Sequence, residues 1–172
     1  MVVPEDSVAN RFQVFVSFDG EHDRDLYERL LRQSRAVGSP FDVLYSSDCT
    51  GDAADASDSV RASIEAADHA IFICGVHTGK LPRMTAELRL VHEEGTPYAL
   101  LWGRREAMCK KPTGAISKIG IYSWTREILH DLIVNGRRRA RADAERSAAL
   151  RKRVRATAPE ENPSPKSWPS GD

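Results

Sequence analysis

The sequence predicts an α/β protein in which a parallel sheet of five strands carries helices on both faces. Short apolar runs of strand length alternate with segments whose apolar residues recur at helical spacing. Two of the runs, 70–74 and 98–102, are apolar at nearly every position, as strands buried on both faces are. Clusters of Gly and Pro end most of the helical segments. This alternation is typical of parallel βαβ units with right-handed crossovers.

The first half of the chain contains three predicted strands and two predicted helices. The run at 12–18 is β-branched and aromatic and ends at Asp19-Gly20, whereas Gly38-Ser39-Pro40 ends the first helix. The segment 46–57 is rich in Asp and Ser and is long for a connection. In chain order we predict a strand over 12–18, a helix over about 23–37, a strand over 41–45, a polar loop over 46–57, a short helix marked by Val60, Ile64 and Ala67, and a strand over 70–74.

The second half repeats the pattern. Met84, Leu88 and Val91 mark a helix that Gly95-Thr96-Pro97 ends, and a strand follows at 98–102. After a basic loop we predict a weaker edge strand over 119–122 and a last helix over about 124–134, which Gly136 ends. The inward residues of this helix are predicted to be Ile128, Leu129, Leu132 and Ile133. Trp102 and Trp124 are predicted to pack in the core and at the start of the helix.

Five strands in about 125 residues fit a flavodoxin-like sheet of order 2-1-3-4-5. In such sheets the ligand crevice lies beyond the carboxyl ends of the strands, where the strand order reverses between strands 1 and 3. Two loops, 17–25 and 75–82, are therefore predicted to form the crevice.

The net charge of zero is the sum of two segments whose charges are opposite in sign. Residues 1–136 hold 15 basic and 20 acidic side chains, whereas residues 137–172 hold 10 and 5. The change falls where the hydrophobic pattern stops. We therefore predict four segments: an N-terminal extension (1–10), an α/β domain (11–136), a basic helical tail (137–156) and a disordered tail rich in Pro and Ser (157–172).

Composition narrows the setting. The chain has 41% hydrophobic and 29% charged residues, no apolar run near the roughly 20 residues of a membrane span, and an acidic, polar start unlike a secretory signal. Cys49, Cys74 and Cys109 have no metal-ligand spacing, so reduced thiols in the cytoplasm are expected. The five histidines lie on separate predicted elements, and no metal site is predicted. The arginine-rich tail suits either a solvated extension or contact with acidic surfaces, and nucleic acid is not an expected partner.

The crevice loops exclude several enzyme classes. The loop 17–23 lacks both Gly-x-Gly-x-x-Gly and a Gly-Lys-Ser/Thr ending, so a P-loop NTPase or a Rossmann dehydrogenase is not expected. A phosphoacceptor receiver would end strand 3 with an acid, but Cys74-Gly75-Val76 lies there. Glu87 is the acid that the geometry singles out, near the start of the helix after strand 3. It lies off the inward stripe of Met84 and Leu88, and burial statistics alone place such a glutamate in solvent.

Residues 11–133 resemble a known family. The runs RFQVFVSFDGEHDRDLYERLL, ADHAIFICGVHTGKLPRMTAELRLVHEEGTPYALLWGRRE and KIGIYSWTREILHDLI are similar to the TIR-like domain of the Thoeris anti-phage defence family. The more specific motifs within them are Cys74-Gly75-x-His77-Thr78, Ala86-Glu87-Leu88, Lys110-Lys111-Pro112 and Tyr122-x-Trp124-Thr125.

The resemblance implies a TIR domain that cleaves NAD⁺ at the nicotinamide–ribose bond, with Glu87 as the catalytic acid. NAD⁺ is then a substrate, and no cofactor is expected. The product would be a cyclic or conjugated ADP-ribose that signals to a separate effector. The enzyme would form a homo-oligomer on activation. Expected substrate-binding residues are Ser17, Phe18, Asp19, His77, Thr78 and Arg83. Asp19 and Ser17 equally suit a strand-end turn, whereas the residues alone favour a loop cap for His77 and a surface cation for Arg83.

Two departures from the family keep other functions open. Relatives commonly carry an acid where this chain has Val76, and often a tryptophan where it has the Asp/Ser-rich segment 47–57. These departures favour an alternative in which the domain is a non-catalytic TIR-type module that acts by protein–protein contact. A nucleoside deoxyribosyltransferase, which has a similar sheet and also uses a crevice carboxylate, is a third hypothesis.

Overall fold

The computed structural model describes residues 11–50, 56–136, 145, 146 and 149. The chain separates into two units, Met1–Ala140 and Arg141–Asp172, and the sheet with its covering helices belongs to the first. The predicted N-terminal extension (1–10) lies outside the described residues. So do the basic tail (137–156) and the Pro/Ser-rich tail (157–172), apart from those three positions, and all these boundaries stay predictions.

Five parallel strands form one sheet in the order β2-β1-β3-β4-β5, which confirms the predicted α/β, flavodoxin-like architecture. All six residues of the central strand β3 are buried, as its unbroken apolar run indicates. The strands are β1 (Phe12–Phe18), β2 (Phe41–Asp48), β3 (His69–Cys74), β4 (Tyr98–Trp102) and β5 (Ile121–Tyr122).

Helices cover both faces of the sheet. They are α1 (Arg24–Ser34), α2 (Asp58–Ala66), α3 (Pro82–Glu94) and α4 (Arg126–His130), and α4 continues as a π-helical segment over Asp131–Asn135. Successive residues of a strand point to opposite faces. Val14 and Val16 of β1 accordingly pack in one apolar cluster with α1 and α4, whereas Phe15 packs in a second cluster with α2 and α3.

Strand β2 is three residues longer than predicted. Ser46, Ser47 and Asp48 continue the strand because they pair with Val16, Ser17 and Phe18 of β1. The register shifts near Val14 and Phe15, where β2 takes in one extra residue between Val43 and Tyr45. The polar composition that predicted a loop from residue 46 onward was therefore misleading, since strand pairing overrode it.

The end of the domain also differs in detail from the prediction. Strand β5 has two residues instead of the predicted four. Helix α4 begins at Arg126, and the preceding Thr125 caps it, because the Thr125 hydroxyl accepts a hydrogen bond from the Ile128 amide at 3.2 Å. Trp124 is buried as predicted, but Trp102 is not a core residue, since it is 42% exposed at the end of β4. In the described part of the chain, no helix is long and apolar enough to cross a membrane.

Candidate functional site

Glu87 is fully buried, which contradicts the expectation that a helical glutamate lies in solvent. It is the sixth residue of α3, a helix that Pro82 begins. This helix buries a broad surface, because Ala86 and Leu90 are buried along with the predicted stripe of Met84, Leu88 and Val91. Glu87 belongs to this wide buried surface, and the Glu87 side chain lies beside the carboxyl ends of β1 and β2.

Two serine hydroxyls hold the Glu87 carboxylate. The Oγ of Ser17 in β1 lies 2.6 Å from Oε2, and the Oγ of Ser47 in β2 lies 2.5 Å from Oε1. Ser17 and Ser47 are direct partners in the parallel register of these two strands. Side chains at paired positions lie on the same face of a sheet, so both hydroxyls are presented to α3 together.

Cys49 and Arg83 complete the surroundings of the carboxylate. The Cys49 Sγ lies 3.4 Å from Oε2, and the Arg83 Nε lies 3.4 Å from Oε1, one helical turn before Glu87. Burial raises the pKa of Cys49 to about 12, and the nearby carboxylate adds to the effect, so this thiol is a weak donor and not a nucleophile. All four groups donate, which suits an ionised carboxylate, since that group only accepts hydrogen bonds.

Of the six predicted substrate-binding residues, two contact Glu87 directly. Ser17 is fully buried behind the carboxylate, and Arg83 is partly exposed, with 26% of its side chain open to solvent. Arg83 is therefore the solvent-facing member of the group. The interpretation of Ser17 as a strand-end turn residue is not supported, because its hydroxyl is committed to Glu87 at 2.6 Å.

Three other predicted residues make contacts within the protein. The Phe18 ring stacks on Tyr27 at 4.4 Å. The Asp19 carboxylate, 2% exposed, accepts hydrogen bonds from the Glu21 and His22 amides, as an Asp in a turn does. The Thr78 Oγ1 is buried and accepts a hydrogen bond from the Gly75 amide at 2.7 Å. These contacts fix the two loops of the predicted crevice.

His77 is exposed and links the two loops. Its ring centroid lies 4.2 Å from that of His22, with the planes tilted by 30°. The His22 Nδ1 in turn lies 2.9 Å from the Asp19 Oδ2. His77 therefore borders the predicted crevice, but it is not among the residues whose side chains bind the Glu87 carboxylate.

A second acidic group lies beside the crevice. The Asp23 carboxyl is 3% exposed, and its Oδ2 has no hydrogen-bond partner among the described residues. It packs where a side chain at Gly75 would otherwise lie, since a Cβ there would fall 1.9 Å from Oδ2. Burial raises the pKa of Asp23, and the Arg104 guanidinium at 3.5 Å offsets this only in part.

Sequence reasoning did not single out Ser47, Cys49 or Asp23 as site residues, although Asp23 lies in the predicted crevice loop 17–25. Ser47 and Cys49 lay in the segment interpreted as a loop, and an unshifted alignment of Val14 with Val43 would have placed Ser46, not Ser47, beside Ser17. Cys74, by contrast, is a packed, buried thiol as expected. No signal in the sequence distinguishes Asp23 from its neighbours Asp19 and Asp25.

The site has no metal-binding arrangement in the part of the chain that the structure describes, where no three His, Cys, Asp or Glu side chains come together suitably. A cavity of about 620 Å³ lies along α3 next to Leu81, Thr85 and Arg89, and another of about 570 Å³ lies at the ends of β4 and β5. Glu87 lines neither. The carboxylate is thus enclosed by its own donors.

Comparison with known protein families, and with curated proteins, found no match for this chain.

Proposed function

We propose that this protein cleaves NAD⁺ at the nicotinamide–ribose bond, with Glu87 as the carboxylate that faces the reacting sugar. The observation that carries the proposal is the placement of one buried carboxylate by Ser17 and Ser47, at the carboxyl ends of two adjacent parallel strands. In sheets of this order, ligands bind at that end of the strands. The resemblance of residues 11–133 to TIR-like domains supplies the substrate.

The chemistry needs one carboxylate. The bond from the ribose C1′ to the nicotinamide nitrogen breaks, and the electron pair leaves with nicotinamide as a neutral ring. C1′ develops positive charge, as in glycoside cleavage. Glu87 stabilises that charge. The oxygen of a water molecule, or of a hydroxyl group of ADP-ribose, then bonds to C1′ and loses its proton. Attack by a hydroxyl of the same molecule gives a cyclic product, and attack by a second molecule gives a conjugate.

The surrounding residues have defined roles in this proposal. Ser17 and Ser47 hold the carboxylate in one orientation, which avoids reorganisation during the reaction. Arg83 is the member of the group that is open to solvent, so it moves aside to admit the ribose and pairs with the pyrophosphate of the substrate.

The test is nicotinamide release from NAD⁺, measured by chromatography with the purified full chain and with lysate from phage-infected cells. We expect Glu87→Gln to lower the rate by at least about 100-fold, the effect of losing one preorganised electrostatic group. Glu93→Gln is the matched control, because Glu93 is an exposed glutamate on the same helix. Release that Glu87→Gln leaves unchanged, or no release under either condition, would contradict the proposal.

A second function is favoured by the enclosure of the carboxylate. Glu87 has no exposed surface, and Val76, at the tip of the loop after β3, is 41% exposed. In this alternative Glu87 is a structural acid that ties α3 to the strand ends, and the domain acts by contact with like domains. Sedimentation would then show association that grows with protein concentration, and NAD⁺ would leave the melting temperature unchanged. A clear increase of the melting temperature with NAD⁺ would exclude this alternative.

A further inference from the structure

A cavity separate from the Glu87 site lies at the carboxyl ends of β4 and β5. It has a volume of about 570 Å³, which is within the range of roughly 300 to 1,000 Å³ typical of small-molecule sites. It lies between α1, the end of β4 and the segment between β5 and α4. Its lining residues include Arg29, Trp102, Arg105, Ser123, Trp124 and Thr125.

The lining of this cavity carries positive charge only. Arg29 and Arg105 contribute two guanidinium groups, and no acidic residue is among the lining residues. Within the described parts of the chain, neither guanidinium forms an ion pair. Asp25, one turn before Arg29 on α1, is instead bound by Arg104 at 2.8 Å. That pairing leaves the two lining arginines available for an anion.

Aromatic surface lies next to these charges. The guanidinium carbon of Arg29 lies 5.4 Å from the centroid of a Trp124 ring. Trp124 is held in place because its Nε1 donates to the Trp102 carbonyl at 2.5 Å. Trp102 borders the cavity and is 42% exposed. The cavity thus combines a fixed indole, an exposed indole and two cations.

The rim is rigid where β4 ends. The Gly103 amide donates to the Cys74 carbonyl at 2.9 Å, and a Cβ at position 103 would lie 2.8 Å from that oxygen. Ser123 and Thr125, which carry hydroxyl groups, also line the cavity. A preformed site of this kind loses little conformational freedom when a ligand binds.

We propose that this cavity binds a nucleoside phosphate, with the phosphate at Arg29 and Arg105 and the base on the exposed indole of Trp102. Guanidinium groups bind phosphate through paired charge-assisted hydrogen bonds, and indoles stack on bases of any type. This inference does not rest on the proposed cleavage of NAD⁺, because none of the residues that hold Glu87 lines the cavity.

The test is titration calorimetry of the full chain with three probes: AMP, adenosine and inorganic phosphate. We expect saturable binding of AMP and at least about tenfold weaker binding of each of the other two, because adenosine lacks the phosphate and inorganic phosphate lacks the base. Arg105→Gln is expected to weaken AMP binding by about tenfold or more, and Trp102→Leu to weaken AMP binding without changing phosphate binding. Arg32→Gln is the matched control, since Arg32 is an exposed arginine on α1 that does not line the cavity.

Four outcomes of these titrations would overturn the inference, each for a different reason. Absence of saturable AMP binding, or phosphate binding as tight as that of AMP, would overturn the inference. An equal loss in Arg32→Gln would show that only general charge matters and would also overturn it. AMP binding that is weakened by Glu87→Gln but not by Arg29→Gln or Arg105→Gln would place the ligand in the crevice instead. Arg29 and Arg105 are both exposed, so neither variant is expected to prevent folding, and each tests the inference separately.

Discussion

The Ser47 hydroxyl lies 2.5 Å from the Glu87 carboxylate, although 40 residues separate them in the chain. The contact depends on the register that pairs Ser47 with Ser17 and on the burial of one face of α3. Through this contact Ser47, a polar residue of the edge strand β2, donates a hydrogen bond to a buried carboxylate. A buried carboxylate is stable only when its acceptors are satisfied.

Removing the Ser47 hydroxyl is therefore expected to destabilise the fold. Ser47→Ala leaves one oxygen of a buried carboxylate short of a donor, which costs about 1–3 kcal/mol of unfolding free energy. Urea denaturation measures the loss. Ser46→Ala is the control on the same strand, because Ser46 is exposed and is expected to change stability by less than about 0.5 kcal/mol. Equal effects of the two changes would show that the hydrogen bond to Glu87 does not contribute.

His69 is expected to make stability depend on pH. Burial lowers its pKa from 6.5 to about 4, and the charge of Asp68 opposes this only weakly. Neither ring nitrogen has a hydrogen-bond partner among the described residues. Between pH 6.5 and about 4 the unfolded chain therefore binds a proton that the folded chain does not, so stability falls as the pH falls through this window.

The size of this effect follows from the shift. A difference of two to three pKa units corresponds to roughly 3 kcal/mol across the window. Measured at several pH values, the unfolding free energy of His69→Gln should decline less between pH 6.5 and 4 than that of the unchanged chain. Parallel curves for the two proteins would show that His69 does not titrate in this way.

Asp23 and Asp25 are expected to respond in opposite directions to neutralisation. Burial raises the pKa of Asp23, so its ionised form destabilises the fold at neutral pH and Asp23→Asn should raise the melting temperature. A hydrogen bond from Arg104 lowers the pKa of Asp25, so Asp25→Asn should lower the melting temperature slightly. Thermal unfolding at pH 7 and at pH 3 distinguishes the two, because both differences should shrink at pH 3. A loss of stability in both variants at pH 7 would contradict this expectation.

Gly103 is expected to tolerate no side chain. A Cβ at this position would lie 2.8 Å from the Cys74 carbonyl oxygen and 2.9 Å from a methyl carbon of Leu26. The carbonyl belongs to the central strand and cannot move away easily, so Gly103→Ala should destabilise by about 1–3 kcal/mol. Gly120→Ala is the control, because the nearest atoms there are 3.6 Å away, at ordinary contact distance. Equal unfolding free energies for the two variants would show that β4 shifts to make room.

The sequence by itself determined the architecture. Alternating apolar runs and helical patterns predicted five parallel strands in the order 2-1-3-4-5, and the continuous apolar run at 70–74 predicted the buried central strand. It also placed Glu87 near the start of the helix after that strand. These properties follow from periodicity and composition, which are local and can be read along the chain.

Only the tertiary structure decided what surrounds Glu87. Pairing with β1 kept Ser46, Ser47 and Asp48 in a strand that their polarity disfavours, and the register then placed Ser47 beside Ser17. The burial of Glu87 depends on how much of α3 the sheet covers. Such contacts join residues far apart in the chain. No local pattern encodes them, because their free energy comes from packing and hydrogen bonding between elements.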